Sequence, residues 1–187
     1  MKLIKCKRSI LILISLALIF ALGVMTSIAQ EKQIRDFLKG KVTTPGAQTT
    51  WKGKTFQHTT KVEMVPIPDA EGHMVGMFVR EGVNTYEDGE QGWNKTVIIW
   101  DGTKGVGSFS QYTTVTFQDG STTISHTKGT GSGPTAQFSG EIIYGTGRFQ
   151  GIKGTVTGTA KNLPPEKGEI IGKALSEWTL TYTLPPK

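Results

Sequence analysis

The chain contains a single cysteine among its 187 residues. This residue, Cys6, precedes a long apolar run, whereas a lipidated lipoprotein cysteine would follow such a run. Cys6 lies in a segment with the features of a cleavable leader, so the mature chain is expected to have no disulfide, thiolate nucleophile or cysteine metal ligand. A protein without such cross-links must be stabilised by its core, and about 150 residues suffice for one such domain.

Common catalytic and metal-binding motifs are also missing. The nucleophile elbow G-x-S-x-G does not occur, which argues against a serine hydrolase of that class. The three histidines, His58, His73 and His126, form no His-x-His or His-Glu-x-x-His pair, and we interpret them as ordinary strand or loop residues. The acidic stretch Glu87–Glu90 lacks the alternating oxygen ligands of a calcium loop and is typical of a hairpin turn. The sequence therefore predicts no metal and no cofactor.

The N-terminus has the three parts of a secretory signal. Basic residues precede an apolar run from Ile10 to Met25, and Ser27-Ile28-Ala29 provides small residues for a signal peptidase. We expect residues 1–29 to be a signal peptide cleaved before Gln30, with export to the periplasm or the extracellular space. The alternative is an uncleaved anchor, although sixteen apolar residues fall short of the roughly 20 needed to span a bilayer.

Removal of the leader changes the charge balance. The whole chain has 21 basic and 15 acidic residues, a net charge of +6. Four of the basic residues lie in the leader, so the remainder carries 17 minus 15, or +2. A nucleic-acid partner is therefore not expected, and neither is a membrane partner after cleavage.

Residues 30–54 are predicted to precede the folded domain. Gln30 to Lys39 could form a short amphipathic helix, and Gly40 to Lys54 is a polar run typical of a linker. The folded domain is predicted to span residues 55–187.

That domain alternates with a period of two and contains regularly spaced turn residues, which predicts an all-β fold. The predicted strands are Thr55–Val65, His73–Val83, Lys95–Trp100, Val106–Phe117, Ser121–Lys128, Ala136–Tyr144, Phe149–Ala160 and Ile170–Leu184. Asp119-Gly120 is predicted to form a two-residue type I′ turn. Val97–Trp100 is apolar on both faces, so both faces should be covered. Eight antiparallel strands can form a sandwich or a closed barrel, and glycines within the strands favour an eight-stranded, calycin-like antiparallel barrel.

The stretch Tyr144–Gly158, YGTGRFQGIKGTVTG, is the most distinctive in the chain. Its glycines are spaced G-x-G-x-x-x-G, one residue longer than the dinucleotide fingerprint, and a strand rather than a helix is predicted to follow. We therefore expect a barrel hairpin and not a phosphate-binding loop, with Arg148 at the rim and no helix N-terminus behind it.

The residues Gly145, Thr146, Gly147, Phe149, Gly151 and Gly154 resemble the G-T-G-x-F-x-G signature of the allene oxide cyclase and dirigent-like barrel superfamily, which includes small exported bacterial proteins. The resemblance extends over Glu63 to Leu184. It implies an eight-stranded antiparallel barrel with a lumen for a small, largely apolar molecule, often assembled as a homotrimer. In plant members the barrel shapes a reactive intermediate for ring closure or radical coupling, with few catalytic groups. The matched positions themselves are structural turn residues.

Three functions remain open on the sequence alone. The first is an exported barrel that binds a small apolar or aromatic molecule in its lumen. The second is a cyclase or isomerase in which a buried carboxylate or tyrosine moves a proton, and the third is a filled barrel with a structural or surface-binding role. The candidate lumen residues are Glu63, Arg80, Tyr112, His126, Glu141, Tyr144, Trp178 and Tyr182. Arg80 and Glu81 are neighbours on a strand, so only one of them can point inward.

Overall fold

The computed structural model describes residues 46–169 and 171–186. The predicted signal peptide and the predicted helix at 30–39 lie outside the described residues. Within the described residues, no helix has the length and apolarity needed to cross a bilayer.

Eight strands form a single closed barrel. Each strand pairs antiparallel with the next in the sequence, and β8 returns to pair with β1. The strands are β1 (Thr49–Pro66), β2 (His73–Tyr86), β3 (Gln91–Thr103), β4 (Val106–Phe117), β5 (Thr122–Ser132), β6 (Thr135–Gly145), β7 (Lys153–Asn162) and β8 (Ala174–Thr183). The predicted number of strands and the choice of a barrel over a sandwich are confirmed.

Four predicted strand starts are wrong by four residues or more. β3 begins at Gln91 rather than Lys95. β1 begins at Thr49 rather than Thr55, because residues 49–57 pair with β8, so the end of the predicted linker belongs to the barrel. β7 begins at Lys153 rather than Phe149, because Gly147–Phe149 forms a single 3₁₀ turn before the strand. β8 begins at Ala174 rather than Ile170.

The predicted type I′ turn at Asp119-Gly120 is also wrong. Only Gly120 has a positive φ, and its N–H donates to the Phe117 carbonyl, which makes a three-residue loop with glycine in the left-handed position. The Asp119 carboxylate accepts hydrogen bonds from the Ser121 N–H and hydroxyl, and these bonds are local competitors of the tighter turn. The two successive positive φ values that type I′ requires occur instead at Lys104-Gly105, between β3 and β4.

One end of the barrel is closed by aromatic side chains, which we call the aromatic plug: Trp51, Tyr86, Phe117, Phe149 and Tyr182. Four of these rings come from strand ends at the rim that carries the β2–β3, β4–β5 and β6–β7 turns, and Phe149 comes from the 3₁₀ turn before β7. Phe149 is central, with ring centroids 4.8 Å from Phe117 and 5.9 Å from Trp51. The core is therefore concentrated at this end, and the lumen extends from it toward the opposite end.

Glycines within the strands allow neighbouring backbones to approach closely. At Gly140 in β6, an added Cβ would come 2.1 Å from the carbonyl oxygen of His126 in β5. Any larger residue there would force the two strands apart, so the glycine supports the curvature of a closed barrel.

Candidate functional site

The barrel encloses a cavity of about 140 Å³. All eight strands contribute to its lining. The apolar part of the wall includes Phe78, Ile98, Trp100, Phe109, Phe138, Val156 and Leu180, and the polar part includes Gln57, Arg80, Asn84, Asn94, Thr96 and Asn162. The cavity is thus amphipathic, with several aromatic rings and a limited set of polar groups, as small-molecule sites commonly are.

Most of the polar groups satisfy one another. Gln57 donates from Nε2 to Asn94 Oδ1 at 2.7 Å and to Thr96 Oγ1 at 2.8 Å. Asn94 in turn donates from Nδ2 to Asn84 Oδ1, which also accepts a hydrogen bond from Thr55 Oγ1 at 2.7 Å. These side chains are buried, and their bonds connect β1, β2 and β3 across the inner face. The network is uncharged and internally paired, so its geometry is fixed by the protein itself.

Arg80 differs from this network. Its side chain is inward, the residue is 6% exposed, and one hydrogen bond runs from its Nη2 to Asn162 Oδ1 at 2.9 Å. Its Nε has no hydrogen-bond partner among the described residues, and no described carboxylate forms a salt bridge with it. Burial lowers the pKa of the guanidinium from its usual value to about 10. Arg80 is the only charged side chain among the described residues that line the cavity.

Three of the eight predicted lumen residues point inward. Arg80 and Trp178 line the cavity, and the Trp178 Nε1 donates to Thr55 Oγ1 at 2.8 Å. Tyr182 is also inward but belongs to the aromatic plug, where burial raises its pKa to about 12. As expected, Arg80 and Glu81 face opposite sides, and Glu81 forms an ion pair with Lys95 outside.

The other five residues lie on the outer face of the barrel. Two of them, Glu63 and Tyr144, are displaced by β-bulges at Thr60 and Ile143. A bulge adds one residue to a strand, so every later side chain changes face. Glu63 therefore pairs outside with Lys61 at 2.7 Å, and Tyr144 is solvent-exposed.

Tyr112, His126 and Glu141 are outward because their strands present the opposite alternate residues to the lumen. The rings of Tyr112 and His126 stack at a centroid distance of 4.4 Å, and His126 Nε2 lies 2.8 Å from Ser110 Oγ. With outward-facing Val97 and Ile99 they form an apolar surface that we call the outer patch. Ile99 is 52% exposed, so the predicted cover on this face of β3 is absent from the described residues.

No carboxylate from the described residues reaches the lumen. Glu63, Glu141 and Glu177 are all exposed, and Glu177 pairs outside with Lys54 at 2.8 Å. A cyclase that uses one of these three acids inside the barrel is therefore contradicted. The described residues also contain no group of three or more His, Cys, Asp or Glu side chains that could hold a metal ion.

The glycine-rich motif has a structural role at the plugged end. Arg148 ion-pairs with Glu90 and, at 3.4 Å, with Asp119, and it lies 4.7 Å from the Phe149 ring centroid. Arg148 therefore joins the β2–β3, β4–β5 and β6–β7 turns at this rim, which agrees with its predicted position. Gly147 has a φ of +58°, and a Cβ there would meet Ser121 Oγ at 2.4 Å. Arg148 is the middle residue of the 3₁₀ turn Gly147–Phe149, and this turn is not the start of an α-helix.

Sequence reasoning missed the inward amides. Gln57, Asn84, Asn94 and Asn162 are in strands although asparagine is depleted there. Their place in an alternating pattern was the available indication, because a polar residue on the inward face of a strand requires a partner.

The site and the strand pairing define the protein as a closed eight-stranded antiparallel barrel with an amphipathic lumen, the fold implied by the superfamily resemblance. The solved structures that are similar to it include two dirigent proteins. The pterocarpan synthase dirigent protein PsPTS1 is 17% identical, with 78% of this chain and 100% of that chain covered at a TM-score of 0.47. The pterocarpan synthase dirigent protein GePTS1 is 16% identical, with 76% and 97% covered at a TM-score of 0.41. No protein-family model matches the sequence, and no curated protein matches it either.

Proposed function

We propose that the protein is an exported barrel that binds one small molecule with an apolar or aromatic body in its lumen. The observation that carries this proposal is the cavity of about 140 Å³ with an aromatic wall. Engineered apolar protein cavities of about 150 Å³ accept benzene, so a single ring is a suitable size. Export is supported by the leader-like sequence of residues 1–29.

The cavity also separates this proposal from a filled, purely structural barrel. An eight-stranded barrel is just wide enough for its own side chains or for one small ligand. Here the aromatic plug fills one end, and the wall beyond it includes small residues such as Ala136, Ala160 and Ser176. These residues leave space that larger side chains would occupy.

The cyclase or isomerase alternative retains a tyrosine as its proton-moving group. Burial raises the pKa of Tyr86 as well as that of Tyr182, so neither phenol releases its proton readily near neutral pH. Binding without catalysis therefore has more support from the described residues. A confined substrate could still be oriented by the wall alone.

We also propose that the outer patch contacts a second copy of the chain. Val97, Ile99 and Tyr112 are adjacent on β3 and β4 and place apolar surface in solvent. A homotrimer is the assembly that the superfamily resemblance implies.

Native mass spectrometry of protein purified from its own source tests the binding proposal. The expected spectrum contains a small molecule that dissociates from the folded chain. Ala160→Phe, which points into the cavity, should abolish this adduct, whereas the matched outward change Thr159→Phe should preserve it. A folded wild-type protein without an adduct, and without affinity for toluene or benzyl alcohol, would contradict the proposal.

A further inference from the structure

The lumen contains one buried cation whose charge the described residues do not balance. Arg80 is 94% buried, since 6% of it is exposed, and no acid from the described part of the chain shares the cavity with it. A buried charge is destabilising unless a counter-charge or several hydrogen bonds compensate it. Arg80 has one such bond to Asn162, and its Nε hydrogen remains unpartnered.

The surrounding polar groups cannot easily supply that compensation. The Asn84 side-chain oxygen already accepts hydrogen bonds from Thr55 and Asn94, and the Asn94 side-chain oxygen accepts one from Gln57. Cations such as Lys54, which pairs with Glu177, and Lys61, which pairs with Glu63, lie on the outer face instead. The arrangement leaves the planar guanidinium available to an anion that enters the lumen.

The cavity wall restricts what else that anion can carry. Phe78 lies beneath the guanidinium, which is 5.2 Å from the ring centroid, and Trp100 and Phe109 stack at 6.5 Å further along the wall. Phe138 is a further aromatic residue of the lining. An aromatic ring fits this wall, and a planar carboxylate matches the two-pronged donor geometry of arginine.

We propose that the lumen binds a small aromatic monocarboxylate, with its carboxylate on the guanidinium of Arg80 and its ring against the aromatic wall. This inference rests on the proposed function, because it specifies the class of ligand for the same cavity. It adds a charge requirement that a general apolar binding site does not have.

Calorimetric titration with benzoate and benzamide tests the charge requirement, because the two probes have nearly the same shape and differ in charge. The protein expressed from the full-length sequence should bind benzoate at least about tenfold more tightly than benzamide. In Arg80→Met this preference should disappear, while benzamide affinity stays within about twofold. Arg80→Lys should retain part of the preference, because it keeps the charge and loses the planar fork.

Two matched variants control for other effects. Lys128→Met removes a cation from the outer face. Thr127→Val removes the Thr127 hydroxyl, whose oxygen is the other unpartnered buried side-chain atom among the described lumen residues. Both should preserve the tenfold preference. Circular dichroism of each variant establishes that it is folded. If Arg80→Met does not fold, Arg80→Lys provides the test.

The outcomes separate this inference from the proposed function. If wild type binds both probes equally, or if Arg80→Met retains the benzoate preference, the inference is overturned and lumen binding stands. If wild type binds neither these probes nor neutral toluene, both are overturned. A benzoate preference that Ala160→Phe leaves unchanged places the anion outside the lumen and also overturns the inference.

Discussion

Replacement of Arg80 by methionine should make the barrel more stable in the absence of a ligand. Burial lowers the guanidinium pKa from its usual value to about 10, which corresponds to about 3 kcal/mol of unfavourable desolvation. Loss of the hydrogen bond to Asn162 offsets about 1.5 kcal/mol of this, because a bond from a charged donor is worth roughly 1.5–3 kcal/mol. The expected net gain is therefore at most about 1.5 kcal/mol.

Urea denaturation followed by tryptophan fluorescence measures this change as a shift of the midpoint at constant slope. Lys128→Met, on the exposed outer face, should stay within about 0.5 kcal/mol of wild type. Methionine replaces the aliphatic part of the arginine side chain and removes the guanidinium head, which already borders the lumen cavity, so the added space is small. A loss of more than about 1 kcal/mol would refute the reasoning, because it would mean that the charge of Arg80 is compensated within the fold.

Three further predictions concern the plug, the opposite end and the outer patch. Phe149→Ala should destabilise the barrel by about 3–5 kcal/mol in urea, because Phe149 is 2% exposed among aromatic rings, whereas exposed Tyr144→Ala should change little. Hydrogen bonds with Asp101 and Asp69 raise the pKa of His73, so its stabilising effect should be complete below about pH 6.5 and decline as pH rises through the raised value. The melting-temperature difference between wild type and His73→Gln should accordingly be larger at pH 5.5 than at pH 9, and an equal difference would contradict this pairing. Ile99→Lys should convert the oligomer to monomer in native mass spectra, while Val106→Lys, an equally exposed change away from the patch, should not; a wild-type monomer would contradict the proposed contact.

The sequence predicted the barrel well because its evidence is repeated in every strand. Alternation in β8 places Trp178, Leu180 and Tyr182 inward, and the structure confirms that face. The strand starts were less predictable, since β1 gains its first residues from pairing with β8, more than a hundred positions away. Local pattern contains no information about such a partner.

The site was less predictable than the fold because the side of the barrel wall to which a side chain points depends on an exact residue count along its strand. A single bulge at Thr60 moves Glu63 outside, and another at Ile143 does the same to Tyr144. For His126 the sequence offered no reason to choose one face, since neither face of β5 is clearly apolar. For Tyr112 the alternation of Phe109, Val115 and Phe117 in β4 indicated the opposite face. Arg80 was placed correctly, because β2 pairs with β3 without a register shift.

The lumen combines two opposite ways of burying polar groups. The amides at Asn84, Asn94 and Gln57 are paired with one another, so they stabilise one geometry of the wall. Arg80 is buried in the same wall and no described residue balances its charge, although an uncharged residue of similar size would be more favourable there. Local destabilisation of this kind is characteristic of functional sites, where it is relieved by the ligand. The stability of Arg80→Met and its affinity for benzoate should therefore change in opposite directions, a relation that neither a filled barrel nor a general apolar pocket would produce.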